Sequence, residues 1–183
     1  MEALSSILEW AWARHHNEWS WYVRPLFLLP YCYFAWRRSW TGLLVTLALF
    51  PTSLFWFPAP ERPAPHVLAY LAWECAFFLE GDPWALVALA GAVAVYLWAL
   101  AAAFWYRSIL LGLLVINVGM GLKIAVSLGF GGEAGQGSVV PSLFTAAIVN
   151  VGVLFWRWQR SASYGGRSSE PQHDALPQRG GNE

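Results

Sequence analysis

Five apolar stretches, each long enough to enter a bilayer and with arginines sorted onto alternate sides of them, constrain this chain more than any other feature. They lie at 21–36, 40–57, 84–106, 108–130 and 139–156. A helix of about 20 apolar residues crosses the ~30 Å hydrocarbon core of a membrane. Composition points the same way. Of 183 residues, 57% are hydrophobic and only 12% are charged, against about 25% charged in a soluble domain. So few charges cannot coat a water-soluble globule. The expected fold is all-α: a polytopic membrane helical bundle with about five transmembrane helices plus interfacial helices. It forms one domain over 1–160. A tail over 161–183, rich in Ser, Gly, Arg, Gln and Pro, buries no core and is expected to be disordered and cytoplasmic.

The stretches differ in quality. As a helix, 21–36 covers only about 24 Å, and it holds Pro25 and Pro30. Pro51 predicts a kink over 48–51, because proline removes a donor and crowds the preceding turn. The proline-rich 57–65 reads as an extended loop. Residues 66–80 are apolar around Glu74 but marginal in length for crossing, so they read as an interfacial or re-entrant helix, with a sixth crossing as the alternative. Residues 2–20 suit a short interfacial helix. Only Arg107 and Ser108 separate the third and fourth stretches, which predicts a tight hairpin or a broken helix. The glycine-rich 129–138 reads as a flexible loop. Pro141 falls in the first turn of the fifth stretch, where proline is tolerated. No internal repeat is visible.

Five crossings put Arg37, Arg38, Arg107, Arg157, Arg160 and Arg167 on one side. The other side holds Arg14 and Arg62, with Arg24 near its boundary, and most of the carboxylates. The positive-inside rule then predicts a multi-pass cell-membrane protein, N-terminus out and C-terminus cytoplasmic. Thirteen tryptophans, most of them flanking the stretches, read as aromatic belts. Glu2 and Glu9 stand where a signal peptide would be basic, so insertion is expected to rely on the spans. Cys32 and Cys75 fall at opposite depths, and no disulfide between them is expected. Net charge is zero, which argues against nucleic acid. The arginines flanking the tail suit anionic lipids. Expected partners are the lipid bilayer, a second copy of the chain or other membrane proteins.

Polar groups inside a bilayer are costly and mark either packing or function. Here they are Arg24, Glu74, Asn117, Lys123 and Asn150, the candidate ligand or ion pathway. Asn117, Gly121 and Ala125 recur every four residues, as do Ser142, Ala146 and Asn150. Both read as small-polar stripes along which the fourth and fifth spans pack, with the two amides near each other. Either the amides glue the helices, or they line a substrate or ion site. Lys123 has three readings: it snorkels to the outer headgroups, pairs with Glu74, or relays protons or binds an anion. Arg24 reads first as a contact to headgroup phosphate. Either cation could pair with Glu74.

A catalytic reading rests on His15, His16, Glu18 and His66 at the outer side. His15 and His16 are adjacent, so on a helix they diverge by about 100°, and no HExxH occurs. Neither a nucleophile elbow nor a phosphate-binding loop is present, and no cofactor or metal is implied. The expected function is therefore that of a non-enzymatic helper, a subunit of a membrane complex or a lipid-binding element. A transport or channel subunit using Lys123, Asn117 and Asn150 is the first alternative, and an outer-face enzyme the second. The runs 16–36 and 52–61 are dense in Trp, Tyr, Pro and Asn, which marks the outer half of the first two stretches as specialised.

Overall fold

A computed structural model describes residues 2–165, and these are helical with short connections. Eight α-helices follow in order among them: α1 (Glu2–His15), α2 (Glu18–Val23), α3 (Leu28–Trp36), α4 (Trp40–Leu49), α5 (Pro65–Glu80), α6 (Pro83–Trp105), α7 (Ile109–Gly135) and α8 (Val139–Gly165). Three 3-10 turns join them: Arg24–Phe27 between α2 and α3, Phe50–Phe55 after α4, and Gln136–Ser138 between α7 and α8. The fold is all-α, as the apolar periodicity predicts. α8 continues to Gly165, past the expected boundary at 160. The rest of the tail expected to be disordered, 166–183, lies outside the described residues.

Two helical runs are long and apolar enough to cross a membrane: Pro83–Trp105 and Ile109–Gln159. Only 6% and 11% of their most apolar windows are buried inside the fold. The second run, 51 residues long, folds back on itself, because α7 and α8 pack against each other. The stretches at 21–36 and 40–57 are shorter and interrupted as helices. Pro25 and Pro51 each sit at the start of a 3-10 turn, where the missing N–H and fixed φ break the α-helical ladder. α5 is 16 residues long.

The glycine-rich segment 129–138 is not a loop. Residues 129–135 complete α7, with a break at Gly132 (φ 54°, ψ −126°) that only glycine takes without strain. The Trp73 indole donates to the Phe130 carbonyl at 3.1 Å. A Cβ on Gly135 would fall 1.8 Å from the Ser127 carbonyl oxygen. Glycine thus serves close packing under α5 here, which composition reads as flexibility.

α3 lies at the centre, packed on α4, α6 and α8, while α6 packs on α7. The core joins Tyr31, Cys32 and Ala35 of α3 to Leu100 and Phe104 of α6, Ile116 of α7, and Val149 and Val153 of α8. The Tyr31 hydroxyl donates to the Leu97 carbonyl at 3.1 Å, tying α3 to α6. Cys32 is buried and Cys75 half-buried, and both are free thiols.

Two hairpin turns close one end of the molecule, the turn end. α3 stops in a Schellman turn: Ser39 N–H donates to Phe34 O at 3.0 Å and Arg38 N–H to Ala35 O at 2.9 Å. α6 stops the same way, with Ser108 N–H on Ala103 O and Arg107 N–H on Phe104 O, both at 2.9 Å. Ser39 and Ser108 then cap α4 and α7, accepting from Gly42 N–H at 3.1 Å and Leu111 N–H at 3.3 Å. One turn further, Gly42 lies under the Phe34 ring and Gly112 under the Phe104 ring. The shared motif is Trp-x-Arg-Ser at 36–39 and 105–108, followed shortly by Gly-Leu-Leu. That recurrence is too short to stand out as a repeat in the sequence.

Candidate functional site

Polar side chains collect at the opposite end, the cleft end, and continue down the seam between α7 and α8. An open cleft of about 410 Å³ is lined by Glu18, Trp21, Tyr22, His66, Glu133 and Gln136 among others, with Val140 and Pro141 of α8 on one wall. Glu18 and His66 pair at 3.1 Å. Asn17 fixes the local backbone: its side-chain Oδ1 caps α2 by accepting from Trp19 N–H at 3.0 Å, and its side-chain amide donates to Pro58 O at 2.9 Å. The sequence runs 16–36 and 52–61 are thereby tied together.

Beneath the cleft lies a charged layer. Arg24 Nη2 lies 2.6 Å from His15 Nδ1 and donates to Ser20 Oγ at 3.0 Å. Ser20 is one helical turn before Arg24, is fully buried, and donates in turn to Asn17 O at 2.8 Å. His15 Nε2 lies 3.5 Å from Glu74 Oε2. His15 therefore bridges the guanidinium and the carboxylate, whose direct pairing was one expectation. Arg24 Nε is buried with no hydrogen-bond partner. Tyr70 stands beside Ser127 within the field of Glu74 and Arg24, and its ring packs on Trp21 at 4.9 Å. Arg24 thus finds partners inside the fold.

Lys123 forms no ion pair with Glu74 within 4.0 Å, although the charges of both Glu74 and Arg24 reach it. Its ammonium donates to Ser142 Oγ on α8 at 3.2 Å, and Ser142 passes a hydrogen bond to Ser138 O at 2.7 Å. The residue as a whole is exposed, whereas Ser142 is 1% exposed. The stem accordingly lies on the surface of α7 and the charged tip turns onto α8. Ser142 sits about half a helical turn closer to the cleft than the position facing Lys123. Lys123 does lean toward the cleft end, as snorkelling requires, but it stops at a hydroxyl.

Deeper still, Asn117 and Asn150 meet. Each amide donates to the other, at 2.9 and 3.1 Å, and each also donates to a carbonyl of its own helix, Leu113 O at 2.7 Å and Ala146 O at 2.6 Å. All four amide protons are used. The stripe expected on α7 does not form the contact beyond Asn117. A Cβ at Gly121 would meet nothing within 4 Å, and Ala125 is exposed. The buried face of α7 runs instead through Gly112, Ile116 and Ser127. On α8, Ser142, Thr145, Val149 and Val153 are buried.

The histidines separate as their adjacency requires. His15 faces Arg24 and Glu74, while His16 Nδ1 lies 2.8 Å from Trp12 O. Among the described residues no three His, Cys, Asp or Glu side chains converge as a metal ion needs. Sequence reasoning missed Ser20, Tyr70, Glu133 and the bridging role of His15. Only Ser20 carried a local signal, one turn from Arg24. No family model matches the chain, and neither a curated protein nor a solved structure matches it.

Proposed function

We propose that this chain is an integral membrane protein of five crossings, without catalytic activity, that holds the headgroup of a zwitterionic phospholipid at its cleft end. The bilayer reading is supported by how little of the two long apolar runs is buried inside the fold. The core helix of a soluble protein would be mostly covered. Large apolar side chains such as Trp84, Leu110 and Phe130 stand more than two thirds exposed, which suits lipid. In this reading α2 with α3, and α4 with its 3-10 extension, are the first two crossings, and α5 stays at the outer surface.

One observation carries the ligand. Charge changes away from the cleft: Glu18 and Glu133 line it, while Arg24 and Lys123 stand outside that lining, both within the field of Glu74. A phospholipid such as phosphatidylethanolamine presents the matching order, its ammonium outermost and its phosphate one layer down. Trp21 and Tyr22 line the mouth, where aromatic faces favour an ammonium. Asn117 and Asn150 have a structural role in this reading, because their donors are already spent on each other and on their own helices.

The test is native mass spectrometry of the detergent-solubilised protein with added phosphatidylethanolamine. Retention should be about tenfold weaker in Arg24→Gln/Lys123→Met, the scale of one lost charge-assisted contact. Equal retention by the variant would reject the site.

A further inference from the structure

Arg38 and Arg107 are the only non-glycine residues with positive φ among the described residues, at 54° and 60°. Both occupy the position after the helix cap where glycine is usual. An L-residue there is strained, because its Cβ crowds the following carbonyl oxygen. The chain carries that strain twice, at equivalent places in two separate turns, and both times the residue is arginine. Strain kept in this way points to a use for the side chain.

The two arginines are held reciprocally. Arg38 Nε donates to the carbonyl of Trp105, in the other turn, at 3.2 Å. The Arg107 guanidinium lies 5.8 Å from the ring centre of Trp36, in the first turn. Trp40 packs on Trp105 at 5.0 Å and Trp36 on Trp156 at 4.8 Å, so the tryptophan that each arginine meets is itself held in place. Arg37 is exposed beside them. Every acidic side chain that the structure describes, from Glu9 to Glu133, belongs to a segment at the cleft end. Two guanidinium groups are therefore fixed by each other's turns, with no carboxylate among the described residues to balance them.

We propose that Arg38 and Arg107 form a binding site for the phosphate of an anionic phospholipid at the turn end. The bond to Trp105 uses only Nε of Arg38 and leaves its two terminal nitrogens for phosphate oxygens, the forked geometry arginine provides. Arg107 is preoriented by its tryptophan, so little side-chain entropy is lost on binding. The site rests on the bilayer reading above, which places this end at the headgroup level of the opposite leaflet. It does not depend on the cleft-end ligand.

The experiment is native mass spectrometry in detergent with phosphatidylglycerol against phosphatidylcholine. The wild-type protein should retain phosphatidylglycerol about tenfold better, and Arg38→Gln/Arg107→Gln should lose that preference. Arg14→Gln/Arg62→Gln, at the cleft end, should keep it. If the double variant does not fold, Arg107→Gln alone should still reduce the preference. A wild-type protein without preference, or an arginine variant that keeps it, overturns the site. Inorganic phosphate that raises the melting temperature as much as phosphatidylglycerol does overturns the lipid assignment. A carbonate wash separates the two levels. A chain stripped from membranes fails the bilayer reading and the site together, whereas a chain that stays but shows no preference fails the site alone.

Discussion

Asn117 on α7 and Asn150 on α8 close a two-bond ring of amides, at 2.9 and 3.1 Å, between helices that run in opposite directions. The ring fixes the register of the two helices, since a shift by one residue would break both bonds. Asn117→Leu should lower stability by about 1 kcal/mol, the scale of interhelical hydrogen bonds in membranes. Asn117→Leu/Asn150→Leu should cost less than the sum of the single changes, because neither amide is then left facing a leucine. Thermal unfolding in detergent, followed by tryptophan fluorescence, measures the cycle. Additive costs would show that the two amides do not act as a pair.

Glycines on α7 should split by what stands over them. A Cβ on Gly119 would lie 2.2 Å from the Tyr96 ring, and one on Gly112 would lie 2.4 Å from the Phe104 ring. Gly121 faces open space. Gly112→Ala and Gly119→Ala should each cost about 1–3 kcal/mol through overpacking. Gly121→Ala should be neutral or slightly stabilising, because alanine is the better helix former. The same melting measurement decides this, and a costly Gly121→Ala would restore the stripe that spacing alone suggested.

Local signals were legible in the chain and long-range meetings were not. The hairpin at Arg107 and Ser108 follows from two long apolar runs with two residues between them. The meeting of Asn117 with Asn150 follows from matched depth on antiparallel helices. The partner of Glu74 was not readable in this way. His15 lies far away in sequence, and at the outer side beside His16 it reads as a catalytic candidate and not as a bridge to Arg24. Glycine misled in both directions. Spacing made Gly121 a packing residue, although its side faces away from α8. Composition made 129–138 a loop, although the missing Cβ atoms let α5 and the Ser127 carbonyl close in.

Glu74 should matter more to stability than Lys123. Lys123→Met removes a cation whose close partner among the described residues is the Ser142 hydroxyl. The lost hydrogen bond is offset by relief of desolvation, so the net change should be near zero. Glu74→Gln leaves Arg24 and Lys123 facing each other's fields with no carboxylate between them. Glu74 lies 3.5 Å from His15 and reaches the two cations only through space, so the loss falls below that of breaking a buried ion pair, about 3–5 kcal/mol. The Glu74 side chain is 30% exposed, so screening should reduce this to about 2 kcal/mol. Adding Lys123→Met to Glu74→Gln should recover part of the loss. Melting curves for the three variants give the comparison, and a Lys123→Met change as damaging as Glu74→Gln would contradict the layered-charge account.

The proposed five crossings would place the Arg37–Ser39 turn, the Tyr106–Ser108 turn and the end of α8 on one side, and residues near Gly132 on the other. In the two turns Arg38 touches Trp105 and Arg107 touches Trp36, so both turns must share a side whatever the number of crossings. A reporter active only in the cytoplasm should therefore work when joined after residue 165 and fail when joined after residue 134. Single-cysteine variants, with Cys32 and Cys75 replaced by alanine, should react with a membrane-impermeant maleimide from outside at Glu133→Cys and not at Arg37→Cys. Labelling of both positions from the same side would rule out a crossing by α7 and with it the five-span arrangement.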